Sequence, residues 1–218
     1  MTIAVMFDLW RTLVPLTPER KAGAFRATAC ALGEGQDDRG LRTAWYGSRT
    51  MRETGPLDEY LVWLRDHLGR EWSDAMIAEA IVARRSQHFP AFLEPREGVR
   101  EALEQIRAEG YRTGLVSNCS SDVRAMVEDA GLGALFDELV LSAEVGIMKP
   151  DPIIFRCGLE LLDCSSGYYC GDGDDGELVG ARSAGLVDVL MDLGEGREAT
   201  YVVKTPTDLL SIVRAEES

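Results

Sequence analysis

An α/β fold, with a doubly wound parallel sheet interrupted by an all-helical insert after its first strand, is what three observations in this sequence predict. The opening segment Ile3–Phe7 is short, apolar and β-favouring, as a strand buried on both faces should be. Residues 19–89 then carry one amphipathic helical pattern after another and no strand pattern. From about residue 93 helical and strand patterns alternate to the end, which implies βαβ units and parallel pairing.

The first strand meets Asp8, and Pro15 and Pro18 interrupt the chain beyond it. In the insert, Arg20–Leu32, Asp38–Arg52, Leu57–Leu68 and Asp74–Gln87 have apolar residues at helical spacing. Gly33-Glu34-Gly35, Gly55-Pro56 and Gly69 break them apart. Helix Gly98–Glu109 leads into strand Arg112–Ser117, and helix Asp122–Ala130 into strand Glu138–Leu141. Helix Pro152–Leu162 precedes strand Gly167–Cys170, and helix Glu177–Ala184 precedes strand Leu186–Met191; Thr207–Arg214 is a last helix. The expected division is residues 1–15 with 93–218 as the α/β core and 16–92 as the helical insert, with no internal repeat.

With 45% apolar residues, the 218-residue chain can bury a substantial core, which excludes wholesale disorder. Its 37 acidic residues against 23 basic ones leave a formal charge of −14. That balance argues against nucleic acid and anionic membranes, and an anionic substrate would need a locally positive site or a metal. Five scattered cysteines without a CxxC pair suit free thiols in a reducing cytosol. No apolar run approaches the ~20 residues that span a bilayer, and the N-terminal segment reads as a strand rather than a signal peptide. A soluble cytoplasmic monomer or homodimer is therefore expected.

In doubly wound sheets ligands bind beyond the carboxyl ends of the strands. Four such places carry chemistry: Asp8; Ser117-Asn118; the loop 142–150 with Lys149; and Gly171-Asp172-Gly173-Asp174-Asp175-Gly176-Glu177. Each has an ordinary reading on its own: a turn-capping aspartate, a helix cap, a solvated lysine, an acidic turn. Asp8 is also a candidate carboxylate nucleophile or metal ligand. Ser117 and Asn118 can hold anionic oxygens, and Lys149, between residues stiffened by Pro150 and Pro152, can be a fixed positive charge. The acidic cluster offers the oxygens that a hard divalent cation such as Mg²⁺ requires.

Taken together, Phe7-Asp8-Leu9-x-x-Thr12-Leu13, Val116-Ser117-Asn118, the run from Ser142 to Phe155 around Lys149-Pro150-Asp151-Pro152, and Gly171-Asp172-Gly173-x-x-x-Glu177-x-x-Gly180-Ala181 resemble the haloacid dehalogenase superfamily. The resemblance is to its subgroup with a helical cap after the first motif, on a Rossmann-like core. It implies that Asp8 attacks phosphorus and forms an aspartyl-phosphate, which water hydrolyses. It implies Mg²⁺ held by Asp8, the backbone carbonyl of Trp10, Asp172 and Glu177, with Ser117 and Lys149 on the phosphoryl oxygens. The implied substrate is a small phosphorylated or otherwise anionic metabolite.

One position departs from that pattern. The family's phosphatases carry a second aspartate two residues after the nucleophile, as general acid and base; here it is Trp10, followed by Arg11 where glycine is usual. Indole has no titratable proton near neutrality, and losing a general acid costs about 10²–10⁴ in rate. A phosphatase recruiting Glu144, Asp174 or Asp175, or restricted to good leaving groups, is the leading expectation. The alternatives are a metal-independent 2-haloacid dehalogenase using Asp8, whose relatives bear an aromatic residue at the Trp10 position, and a catalytically inactive binding protein. In the cap, Arg42, Arg49 and Arg52 are candidates to meet an anionic substrate, Arg11 to point into the cleft, and Trp10 to form an apolar wall there. Hinges are expected near Val14–Pro18 and Pro90–Pro95, and His67 and His88 read as structural or surface residues.

Overall fold

The computed structural model describes residues 2–216. Strand β1 (Ala4–Phe7) is followed by five helices: α1 (Pro18–Ala31), α2 (Arg39–Gly47), α3 (Arg49–Glu53), α4 (Leu57–Leu68) and α5 (Asp74–Leu93). Then come α6 (Val99–Ala108), β2 (Arg112–Ser117), α7 (Val123–Asp129), β3 (Glu138–Leu141), α8 (Ser142–Val145) and α9 (Pro152–Leu161). The chain continues through β4 (Gly167–Gly171), α10 (Glu177–Ser183), β5 (Val187–Met191), β6 (Tyr201–Val203) and α11 (Pro206–Glu216).

The six strands form one sheet in the order β3-β2-β1-β4-β5-β6, and every pairing is parallel. β1 lies where the order reverses: it pairs directly with β2 on one side and with β4, which comes much later in the chain, on the other. That reversal opens a crevice at the carboxyl end of β1, the general ligand position of such sheets. Alternate side chains of β1 serve opposite faces. Val5 and Phe7 join Leu103, Leu115, Val127, Val189 and Leu209 under one helical layer. Ala4 and Met6 join Val116, Phe155, Leu159 and Ala181 under the other. A strand buried on both faces is why Ile3–Phe7 reads as continuously apolar.

The insert has its own apolar cluster, in which Phe25, Leu41, Trp45, Leu61, Leu64 and Ile77 take part. Its helix starts are fixed by side-chain caps: Thr17 accepts from Arg20 N, Asp38 from Leu41 N, and Ser73 from Met76 N. α4 ends at Gly69, whose φ of 62° is the left-handed stop.

Four elements differ from the sequence expectation, the first being the four-residue helix α8 inside the expected loop 142–150. The predicted helix Asp38–Arg52 is divided at Ser48, whose hydroxyl donates to the Ala44 carbonyl and so draws the backbone out of register. α5 runs past Gln87 to Leu93 with Pro90 inside it, and Ala91 and Phe92 pack into the sheet's core. The second linker therefore begins after Leu93 rather than at Pro90. Strand β6, three residues behind the polar loop 192–199, is not foreseen by the sequence pattern.

Candidate active site

Asp8 follows β1 at the reversal of strand order. Its Oδ1 accepts from Lys149 Nζ at 2.5 Å, and its Oδ2 accepts from the Thr12 hydroxyl at 3.1 Å. Lys149 Nζ also donates to Glu177 Oε2 (2.6 Å) and to the Tyr169 hydroxyl (2.8 Å), which itself donates to Glu177 (2.6 Å). The ammonium thus has three acceptors for its three protons. Burial works against its charge, but Asp8 and Glu177 outweigh burial and raise its pKa. Its backbone is clamped by Asn118, whose amide nitrogen donates to Lys149 O (2.9 Å) and whose amide oxygen accepts from Lys149 N (2.7 Å). Helix α10 lies so close that a Cβ at Gly180 would collide with the Pro150 carbonyl.

Asp172, at the end of β4, and Glu177, at the start of α10, complete a buried trio with Asp8. One carboxylate oxygen from each lies within 4.8 Å of the others. Burial pushes the Asp8 carboxyl up to about 7; Lys149 opposes this, and Glu177 and Asp172 add to it. Burial likewise raises Asp172. An all-oxygen donor set with excess negative charge suits a hard divalent cation, so these residues fit the metal that the resemblance implies.

These groups face a cavity of about 240 Å³ between the sheet and the insert. From the core it is lined by Asp8, Trp10, Arg11, Lys149, Asp172 and Glu177, among others. The insert adds Lys21, Phe25, Trp45, Arg49, Arg52 and Arg84. Trp10 packs on Phe92 and His88, with ring centroids 5.2 and 5.4 Å apart.

The structure brings Asp8, Trp10, Arg11, Asn118, Lys149, Asp172 and Glu177 together around this cavity. Ser117 ends the adjoining strand, its hydroxyl buried without a well-formed hydrogen bond and with the Cys119 thiol as polar neighbour. Arg42 does not line the cavity: it lies against the Phe25 ring (5.1 Å) and pairs with Asp37 on the outside. Asn118, expected on substrate, has both ends of its amide on the Lys149 backbone. Arg11 does point into the cleft, but its guanidinium is already engaged by acids, with Nε 3.0 Å from Asp172. Arg49 reaches the cavity and forks onto Asp175 (2.9 and 2.6 Å); Arg52 is buried, donating to Trp45 O and stacking on that ring. Of the candidate acids, Glu144 is held away by Arg124 (2.5 and 2.6 Å), and the Arg49 hydrogen bonds pull Asp175 below the usual carboxylate range.

Three contributors escape sequence reasoning. Tyr169 reads as a strand residue, Thr12 as a member of the Asp8 motif with no role of its own, and His88 as a structural or surface residue. His88 instead lines the cavity, 4% exposed, with Nδ1 lacking a hydrogen-bond partner. Only the inward phase of β4 signals Tyr169, and nothing local signals His88.

A strand-end carboxylate bonded to a buried lysine, facing two further buried acids at the reversal point of a parallel sheet, is an arrangement able to support nucleophilic or metal-assisted chemistry. Residues 4–185 match the family model for haloacid dehalogenase-like hydrolases, and the chain belongs to that family. It is 29% identical to a glyceraldehyde 3-phosphate phosphatase of Methanopyrus kandleri over 98% of both chains. It is also 29% identical to a ribulose-1,5-bisphosphate 5-phosphatase of Halopiger xanaduensis, over 92% of this chain and 89% of the other. Among solved structures, a 2-haloacid dehalogenase from Pseudomonas syringae pv. Tomato superposes with a TM-score of 0.71 at 20% identity, covering 99% of this chain and 100% of that one.

Proposed function

We propose that the protein is a Mg²⁺-dependent phosphatase of a small phosphorylated metabolite, with Asp8 as nucleophile. The observation that carries the reading is the buried Asp8–Lys149–Glu177 triangle with Asp172 beside it, open to a cavity of metabolite size. The phosphatase names of the two full-length relatives support it.

In this reading Thr12 and Lys149 orient the Asp8 carboxylate. An Asp8 oxygen attacks phosphorus, the bond from phosphorus to the leaving oxygen breaks, and an aspartyl-phosphate remains. Water then attacks that phosphorus, releasing inorganic phosphate and restoring the carboxylate. Lys149 and Ser117 hold the phosphoryl oxygens, acting on charge that grows in the transition state. Asp8, Asp172 and Glu177, with the Trp10 carbonyl, would hold Mg²⁺, which would neutralise phosphoryl charge. Asn118 acts through the Lys149 backbone. Trp10 excludes water from one wall and supplies no proton, so the departing oxygen must leave as a stable anion or take its proton from water.

That absence makes the test. With Mg²⁺, an aryl phosphate should turn over about 10²–10⁴ times faster than an alkyl phosphate, and Asp8→Asn should abolish both. Equal rates would mean that another residue delivers the proton. No Asp8-dependent turnover of either ester would overturn the reading. The aromatic wall at Trp10 favours a second reading, the metal-independent 2-haloacid dehalogenase, since a halide leaves without a proton. Halide release from 2-chloropropionate without metal is its signature, and the retained Asp172–Glu177 pair weighs against it. The scattered cysteines without a CxxC pair suit a reducing compartment, and a cytoplasmic location is part of this proposal.

A further inference from the structure

Arg11 combines an unusual backbone with an unusually crowded side chain. Its φ of 68° is a left-handed conformation that residues with side chains rarely adopt. The loop is tied at both ends of this residue: Arg11 N donates to Val14 O (2.8 Å), and Arg11 O accepts from Arg96 Nε (2.7 Å). The side chain therefore leaves in a set direction. Its Nε lies 3.0 Å from Asp172 Oδ2, its Nη1 3.5 Å from Asp174 Oδ2, and its Nη2 bonds Glu195. Arg197 closes the outer side, donating to the Asp172 carbonyl (3.0 Å) and pairing with Glu195 (2.8 Å) and Asp174 (3.4 Å).

Asp172 is thus claimed from two directions. Its carboxylate, 3% exposed, belongs to the buried trio that fits a divalent cation, and it is also the innermost partner of Arg11. Lys149 is placed differently: it balances Asp8 and Glu177 and does not reach Asp172 by any contact described above. So the acid that Lys149 leaves uncompensated is the one Arg11 takes. Asp174 and Glu195, half-exposed and outside the trio, give the guanidinium somewhere to stay when it lets go of Asp172.

We infer that Arg11 is an internal counter-cation of Asp172 that competes with the divalent ion, so that the ion enters as the guanidinium shifts outward onto Asp174 and Glu195. Arg11 then sets the cation concentration at which the site fills. The inference rests on the metal-dependent reading of the site. Competition of this kind is reciprocal, each cation weakening the other by the same factor, typically about 5- to 150-fold.

The test is direct Mn²⁺ binding by electron paramagnetic resonance, on the intact protein without substrate. Arg11→Gly suits the left-handed backbone, and Arg11→Gln removes the charge while keeping length. Both should bind Mn²⁺ about tenfold more tightly than wild type, within the range for such couplings. Arg11→Lys, which keeps a cation, should stay nearer wild type, and Asp172→Asn should weaken binding in every background. Equal or weaker binding by both neutral variants would overturn the inference. If Asp8-dependent aryl phosphate turnover persists alongside that result, the functional reading survives. Failure of every protein to bind Mn²⁺ would overturn both.

Discussion

Asp8 and His88 face the same cavity, and burial favours the neutral form of both, raising one pKa and lowering the other. Burial and neighbouring acids make Asp8 reluctant to ionise. Burial, then the charge of Arg84, holds His88 neutral, with its pKa lowered to about 3. An unfolded chain would protonate that histidine near 6.5. The unfolded state therefore takes up the proton first, and His88 penalises folding increasingly as pH falls from about 6.5 towards 3. Between pH 7 and pH 5 wild type should lose about 2 kcal/mol that His88→Gln retains, read from urea unfolding at the two pH values. If both proteins lose stability in parallel, the buried neutral histidine is wrong. Asp8, Lys149 and the Gly171–Glu177 run were readable because their chemistry sits at strand ends within a few residues. Arg42 misled because a helix carries charge on every face, and only packing tells which face meets the cavity.

At the scale of elements, the strands were the easiest to read. Arg112–Ser117 and Glu138–Leu141 have the bounds their apolar runs imply, since a strand buried on two sides has no polar phase to confuse the pattern. β6 was not readable because three edge residues after a glycine-rich loop are too short to show any period. The end of α5 was not readable because proline is an expected stop; tertiary packing of Ala91 and Phe92 overrides it. The approach of α10 to the Lys149 loop depends on Gly180. Gly180→Ala would set a methyl group against the Pro150 backbone, which has no flexible end to yield. It should lower stability by about 1–3 kcal/mol and displace Lys149, so that turnover falls more than the unfolding midpoint alone explains. Normal turnover in a folded Gly180→Ala protein would remove α10 from the positioning of the lysine.

For the whole molecule, the question is what joins the helical insert to the sheet. Among the described residues three ion pairs cross between them: Arg49–Asp175 (2.6 Å), Arg84–Asp122 and Arg85–Asp129. Ser121 adds a hydroxyl that accepts from Leu57 N at 3.0 Å. Only Arg84–Asp122 is well shielded from water, with side chains 11% and 5% exposed. The exposed pairs are worth about 0–1 kcal/mol each and weaken with salt. Raising NaCl from about 0.05 to 0.5 M should therefore speed hydrogen exchange in α1–α4 by less than tenfold, leaving β1, β2 and β4 protected. Arg84→Met should have the larger effect in the same assay. Uniform acceleration through sheet and insert would mean that the two open together.

The central place of β1 also governs how the chain can fold as it is made. Ala4 pairs with Arg112 on one side and with Gly167 on the other, so the first strand synthesised waits for two of the later ones. The insert, by contrast, closes its apolar cluster within residues 25–80. On a ribosome, the insert should become compact while β1 still lacks its β4 edge, and the Asp8–Lys149–Glu177 site should form only after residue 177 has left the exit tunnel. Arrest-peptide force profiles should show two separate folding events, the earlier one unaffected by Gly180→Ala. A single late event would mean that the insert needs the sheet to fold.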